Sequence, residues 1–212
     1  MQTGERDFPT AERVETAVAA LAGPGWGVID DFLPSSLWQA LADSAQRRLA
    51  AGEFRAASIG RGGRVQTVIR GDTIRWLEAG DADAAERDFF TLVERLRQAI
   101  NRRLWLGLLD FECHYARYPA GARYRRHLDR PHRRTERTVT LVCYLNAGWR
   151  AEEGGALRLY LDEDRSVEVL PQGGRAVVFL SERFEHEVLP ARRPRLALTG
   201  WYRQRLHGGR VI

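Results

Sequence analysis

The sequence predicts an α+β domain in which a β-sandwich or jelly-roll barrel is braced by N-terminal helices. Three observations carry that expectation. Up to about residue 105 the apolar residues recur at helical spacing. Beyond Leu108 they fall in seven or so short β-rich runs punctuated by Gly, Pro and Asp. No helical pattern separates those runs, which excludes a doubly wound sheet. With 212 residues, 44% of them hydrophobic and 29% charged, the chain suits one domain spanning 1–212. Helical support is expected over about 1–105 and the barrel core over about 106–205.

Taken in order, Thr10 to Ala22 forms an amphipathic pattern ended by G-P-G. W-G-V-I-D-D-F-L, residues 26–33, reads as a short strand. P-S-S at 34–36 is a helix cap, and the helix it opens carries Leu37, Trp38, Leu41, Ala45 and Leu49 on one stripe. Residues 52–69 contain I-G-R-G-G-R-V-Q and read as a loop or loose hairpin. The G-R-G-G there lacks the G-K-[ST] ending and following helix of a phosphate loop. From Asp83 to Leu104 the residues Phe89, Leu92, Val93, Leu96, Ile100 and Leu104 make the clearest helical stripe. The strands follow as D-F-E-C-H-Y-A-R-Y, R-T-V-T-L-V-C-Y-L, A-L-R-L-Y-L, S-V-E-V-L, R-A-V-V-F-L, H-E-V-L-P and R-L-A-L-T-G-W-Y.

Composition narrows the function classes. All 33 basic residues are arginine, so any anion held by a side-chain cation is held by guanidinium, which suits bidentate carboxylate contacts. The net charge of +5 and the eight arginines from Arg117 to Arg137 raise nucleic acid as a partner. Acidic residues are spread widely, however, and the pattern reads as a solvated, charge-mixed face. Cys113 and Cys143 lie in apolar runs and read as buried thiols without a disulfide, in keeping with a reducing cytoplasm. The start M-Q-T-G-E-R-D-F is no signal peptide, and the longest apolar runs fall far short of the ~20 residues that span a bilayer.

Chemistry concentrates in Y-R-R-H-L-D-R, residues 124–130. Asp129 either neutralises the flanking arginines or holds something jointly with His127. On an extended segment alternate side chains share a side, so the imidazole and carboxylate project together. They supply two legs of a 2-His-1-carboxylate triad. Of the five histidines, His186 in F-E-H-E-V-L-P is placed for the third, near the start of a late strand. His114 lies on an earlier strand, His132 in the P-H-R-R turn and His207 in the tail. Three protein ligands leave positions open on an octahedral iron, whereas structural zinc is closed by four. Arg195 follows His186 by nine residues and heads an apolar strand. An inward guanidinium is costly without an anion. A dicarboxylate with one end on iron and the other on Arg195 answers that cost.

At these residues the chain resembles the Fe(II)/2-oxoglutarate-dependent oxygenases, and within them the prolyl 4-hydroxylases related to the oxygen-sensing (hypoxia-inducible-factor) enzymes of animals and their bacterial relatives. The likeness runs from about Arg70 to Tyr202. It is carried by R-G-D-T-I-R-W-L-E, Y-P-A-G-A-R-Y-R-R-H-L-D, R-T-V-T-L-V-C-Y-L-N-A-G-W, G-G-A-L-R-L-Y and H-E-V-L-P…R-L-A-L-T-G-W-Y. The resemblance implies a double-stranded β-helix (jelly-roll) core with Fe(II) on His127, Asp129 and His186. It implies the far carboxylate of 2-oxoglutarate on Arg195 and the Tyr144 hydroxyl, and Tyr118, Leu157, Val188 and Trp201 around the cosubstrate. Arg70, Asp72 and Arg137 are then expected near substrate, Tyr124 beside the metal, and the 52–69 stretch as a closing loop. The turn before Tyr124 is one residue shorter than in the animal enzymes.

The implied reaction consumes O2, with ascorbate as reductant, releases succinate and CO2, and hydroxylates a prolyl residue of a protein, such as the translation factor elongation factor Tu. Free proline, another small amino acid or another protein side chain are alternative substrates. Histone-demethylase-like relatives hold the cosubstrate with lysine, which is missing here. Nucleic-acid demethylases use R-x5-R, and the sixth residue beyond Arg195 is Trp201. The triad together with Arg195 argues against a non-catalytic barrel that merely binds a partner.

Overall fold

The computed structural model describes residues 11–57, 69–129 and 136–205. Its helices are α1 (Ala11–Ala22), α2 (Ser35–Ala50) and α3 (Ala84–Leu104). Its strands are β1 (Trp26–Ile29), β2 (Arg55–Ala56), β3 (Thr73–Leu77), β4 (Asp110–Tyr118), β5 (Tyr124–His127), β6 (Arg137–Tyr144), β7 (Leu157–Tyr160), β8 (Ser166–Val169), β9 (Ala176–Leu180), β10 (His186–Val188) and β11 (Arg195–Arg203). They form a seven-stranded sheet, β1-β9-β6-β11-β4-β3-β2, and a four-stranded sheet, β5-β10-β7-β8. Every pairing is antiparallel, and the two sheets are the walls of the expected double-stranded β-helix.

Strand alternation divides the larger sheet into two faces. Cys113 and Tyr115 of β4, Leu141 and Cys143 of β6, and Leu198 and Tyr202 of β11 pack toward the helices, among Leu21, Leu41, Phe89, Leu92 and Leu96. The intervening residues Ala116, Tyr118, Val142, Tyr144 and Ala197 turn to the barrel interior, with Leu157, Leu159 and Val188 from the smaller sheet. Gly200 is required on the helix side because an added Cβ would lie 2.8 Å from Cys113 Cβ and run into the Phe111 ring.

α3 begins with a reciprocal cap: Asp83 accepts from the Glu86 amide at 3.0 Å while the Glu86 carboxylate accepts from the Asp83 amide at 2.9 Å. Glu86 is fully buried, and both its oxygens take hydrogen bonds from Arg48 of α2 at 2.7 Å. This pairing joins the two helices behind the sheet.

The structure departs from several sequence expectations. The N-terminal half is not purely helical support, because β1, β2 and β3 all join the larger sheet. The strand expected over 26–33 stops at Ile29, where Asp31 takes a positive φ. α2 starts after Pro34, with no side-chain hydrogen bond from P-S-S to its first turn. Of the 52–69 stretch, residues 58–68 lie outside the described residues, as do Thr10, His132 and His207. Both cysteines are buried and free. No helix among the described residues is long and apolar enough to cross a membrane.

Candidate active site

The pairing of β5 with β10 sets His127 directly opposite His186 in the smaller sheet. Asp129 follows β5 and reaches between them. His127 Nε2 lies 3.6 Å from Asp129 Oδ1, and His186 Nε2 lies 3.6 Å from Asp129 Oδ2. One donor atom from each of the three residues falls within 4.8 Å of the others. His127 Nδ1 bonds the Arg125 carbonyl at 2.7 Å, and His186 Nδ1 the Phe184 carbonyl at 3.3 Å. A carbonyl only accepts, so both Nδ1 atoms carry a hydrogen and both Nε2 atoms face the shared space.

Burial pushes the His186 pKa down to about 4, against the pull of Asp129, so this imidazole is neutral and able to ligate. Burial alone would raise Asp129, but the His186 and His127 rings and the Trp201 indole hold it well below the usual carboxylate range. Tyr124 stacks on His127 with ring centroids 3.6 Å apart, and Phe179 meets His186 edge-on at 4.8 Å. These contacts fix the ring planes.

Arg195, the first residue of β11, faces the same interior. It is only 2% exposed, and no carboxylate among the described residues pairs with it. Its Nε donates to the Gly155 carbonyl at 3.0 Å, while Nη2 is left without a partner. Gly155 is the glycine this contact needs: φ is 73°, and a Cβ would lie 2.8 Å from that of Ala191. The Tyr118 and Tyr144 rings flank the guanidinium at 5.2 and 5.1 Å. The Tyr144 hydroxyl is also buried without a partner, and burial pushes its pKa up to about 12, so it stays protonated and can donate. An unsatisfied guanidinium N–H beside an unsatisfied phenol hydroxyl is a cradle for a carboxylate.

Arg195 and the triad share one cavity of about 110 Å³. Tyr118, Leu157, Val188 and Trp201 line it, as do Arg70, Tyr124 and Arg137. Arg137 lies 3.5 Å over the Trp201 ring and is anchored to Glu112 at 2.8 Å. Arg70 lies over Tyr124 at 4.8 Å. Two predicted site residues are not on the cavity wall. Tyr144 stands behind it, against Arg195, and Asp72 is buried beneath Arg70, with both carboxylate oxygens taken by that guanidinium at 2.7 and 3.0 Å.

Sequence reasoning missed two residues that matter here. Thr140 of β6 donates to Asp129 Oδ2 at 2.9 Å. His114 of β4 is 1% exposed on the cavity wall, between Trp76 at 4.9 Å and Trp201 at 5.5 Å. Its Nδ1 bonds the Tyr115 carbonyl, and its Nε2 has no partner. The signal for His114 was present, since it shares the alternation phase of Ala116 and Tyr118.

The donor set fits Fe(II) and 2-oxoglutarate. Two imidazoles and one carboxylate converging from one side are the donor set of the 2-His-1-carboxylate iron sites. The spare polar groups at Arg195 and Tyr144 match a second carboxylate. The sequence model for the 2OG-Fe(II) oxygenase superfamily matches residues 113–203. A solved Pseudomonas putida prolyl-4-hydroxylase is 46% identical, with a TM-score of 0.83 over 91% of this chain and 99% of that one. A Trichoplax adhaerens prolyl hydroxylase, solved with a hypoxia inducible factor oxygen degradation domain peptide fragment, is 33% identical, with a TM-score of 0.83 over 90% and 89%. The human prolyl hydroxylase EGLN3 is 30% identical over 89% of this chain and 82% of its own. Other relatives are longer: the chain spans 28% of the Caenorhabditis elegans hypoxia-inducible factor prolyl hydroxylase and 46% of human Egl nine homolog 1.

Proposed function

The chain belongs to the 2OG-Fe(II) oxygenase superfamily, and from that membership we propose that it 4-hydroxylates a prolyl residue of a protein or peptide. The observation that carries the reading is Arg195, a buried guanidinium with no acidic partner among the described residues, sharing one cavity with the His127–Asp129–His186 cluster. When bound, Fe(II) and 2-oxoglutarate supply the oxidising chemistry, in which O2 is reduced, 2-oxoglutarate yields succinate and CO2, and an oxygen atom enters a substrate C–H bond.

The chain's own residues do the rest. His127, Asp129 and His186 hold the ion from the smaller sheet. Arg195 and Tyr144 fix the far carboxylate of the cosubstrate, while Tyr118, Leu157 and Val188 exclude water from its shaft. Arg137, Tyr124 and Arg70 form the side of the cavity that receives the prolyl ring, while Trp201 lines the cosubstrate's part of it. Asp72 acts through Arg70, holding that guanidinium against Tyr124.

A protein or peptide target is supported by the likeness to a prolyl hydroxylase solved with a peptide fragment; a translation factor such as elongation factor Tu is the specific candidate we put to the test. Ascorbate is the proposed external reductant and the cytoplasm the proposed compartment. The test is to incubate the protein with Fe(II), 2-oxoglutarate, ascorbate and purified elongation factor Tu or proline-containing peptides. Succinate release and the gain of one oxygen atom at a proline are then followed by mass spectrometry. Stimulation by free proline alone would reassign the substrate to a small amino acid. Stimulation by a methylated oligonucleotide, with steep salt dependence, would reassign it to nucleic acid.

A further inference from the structure

Behind the carboxylate ligand lies a pair of hydroxyls that the reaction, as described, does not use. Thr140 sits in mid β6 and Ser181 just past β9, and both are fully buried. Their oxygens are 2.8 Å apart, and Thr140 Oγ1 is 2.9 Å from Asp129 Oδ2. The β6–β9 ladder holds both in register, through Thr140 opposite Phe179 and Val139 opposite Leu180, and the Ser181 amide donates to the Thr138 carbonyl at 3.0 Å.

The donor count fixes the direction of this chain. An ionised carboxylate can only accept, so Thr140 must spend its one hydroxyl hydrogen on Asp129. The Thr140 oxygen is then the acceptor in its contact with Ser181, and Ser181 is the donor. We propose that Ser181 and Thr140 form a one-way hydroxyl relay that fixes the rotation of the Asp129 carboxylate, making Thr140 the positioning residue for the metal ligand.

Four physical points support this. The carboxylate torsion of an aspartate is broad and has no strong well of its own, so a fixed partner must set it. Thr140 occupies one side of Oδ2, which opposes a symmetric turn of both oxygens toward the ion. Donation from Ser181 polarises the Thr140 hydroxyl and strengthens its bond to Asp129. Ser181 also begins the turn that leads into β10, so the relay ties the placement of Asp129 to the segment that carries His186.

The proposal rests on His127, Asp129 and His186 being metal ligands, and the test keeps the two ideas apart. Mn(II) affinity of the metal-free protein is measured by calorimetry for wild type, Thr140→Val, Thr140→Ser, Ser181→Ala and the Thr140→Val/Ser181→Ala double variant. Circular dichroism of each checks the fold, and the Co(II) visible spectrum reports ligand geometry. Loss of an outer hydrogen bond to a ligand typically lowers metal affinity ~10–100-fold, and that is the loss expected for Thr140→Val. Thr140→Ser restores the affinity. Ser181→Ala alone lowers it severalfold and has no further effect once Thr140 is Val, because the relay has lost its middle member.

Equal Mn(II) affinity and an unchanged Co(II) spectrum in folded Thr140→Val would overturn the relay. If that variant does not fold, Ser181→Ala decides alone, and wild-type affinity in it sinks the proposal. Equal cost of Ser181→Ala in both backgrounds also overturns it. A wild type that binds no Mn(II) overturns the ligand assignment itself.

Discussion

Replacing Arg195 by leucine separates two effects that ordinarily travel together. The guanidinium is 2% exposed and donates to the Gly155 carbonyl at 3.0 Å, and Nη2 has no partner among the described residues. On the proposed reading, 2-oxoglutarate would give it a charge-assisted carboxylate pair. Truncating one partner of such a buried pair costs about 2–5 kcal/mol, or roughly 30-fold to several thousand-fold in affinity. The ligand-free fold should not pay that cost, because a desolvated cation without a counter-ion is being exchanged for an apolar side chain. Arg195→Leu is therefore expected to keep or raise the melting temperature of the ligand-free protein while losing most cosubstrate affinity. Tyr144→Phe, which removes one neutral hydroxyl, should lose only about 1 kcal/mol, around fivefold. Anaerobic calorimetry of 2-oxoglutarate into Mn(II)-loaded protein measures the affinities, and thermal unfolding gives the stabilities. Unchanged affinity would refute the reasoning. So would a loss of ligand-free stability as large as the loss of binding, since Arg195 would then be a structural residue.

Alanine at His127, Asp129 or His186 should abolish stoichiometric Fe(II) binding by anaerobic titration, and a His186→Ala variant with full affinity would break the triad. Asp72→Ala strands the Arg70 guanidinium in a largely buried site, so we expect a loss of about 3–5 kcal/mol in urea unfolding, with Asp72→Asn intermediate. His114 titrates at about 4 because burial, then the nearby Arg70 charge, disfavours its protonated form. The unfolded chain takes up this proton near pH ~6.5 and the folded protein only near 4. The His114 contribution to stability is thus whole above pH ~6.5 and lost progressively as the pH falls toward 4, by an amount on the order of 3 kcal/mol. His114→Phe should flatten that part of the stability–pH curve, and an unaltered slope would show that the imidazole is not buried as described.

The residues that announced themselves in sequence were those whose local pattern and tertiary role agree. β4 was legible to both its ends, because Asp110–Tyr118 alternates cleanly between a helix-packed and a barrel-facing side. His186 and Arg195 were legible because each opens a strand of obvious β character. β5 was not: its four residues include two exposed arginines and no apolar alternation, and its strand state comes from pairing with β10. β3 was missed for the same reason, since Thr73–Leu77 is a strand by virtue of its ladder with β4. No sequence pattern could show that Asp72 is consumed by Arg70 or that Thr140 reaches Asp129 eleven residues back, because both contacts follow from how the strands stack in space. The alternation around His127 and the strand placement of His186 pointed to the candidate ligands; the hydroxyls and backbone carbonyls that aim them emerged only from the fold.

The division of labour between the two sheets makes the barrel a measuring gauge. On the proposed reading, the side chains that would hold the ion hang from the smaller sheet, and the guanidinium and phenol that would take the far carboxylate stand on the larger one. Facing sheets keep a separation of about 10 Å, set by the side chains that interdigitate between them. The distance from ion to guanidinium is therefore a property of the whole sandwich rather than of any one pocket residue. Leu157 and Val188, paired within the smaller sheet, pack in one cluster with Ala116, Tyr118, Val142 and Ala197 of the larger one, and that interlocking keeps the walls apart.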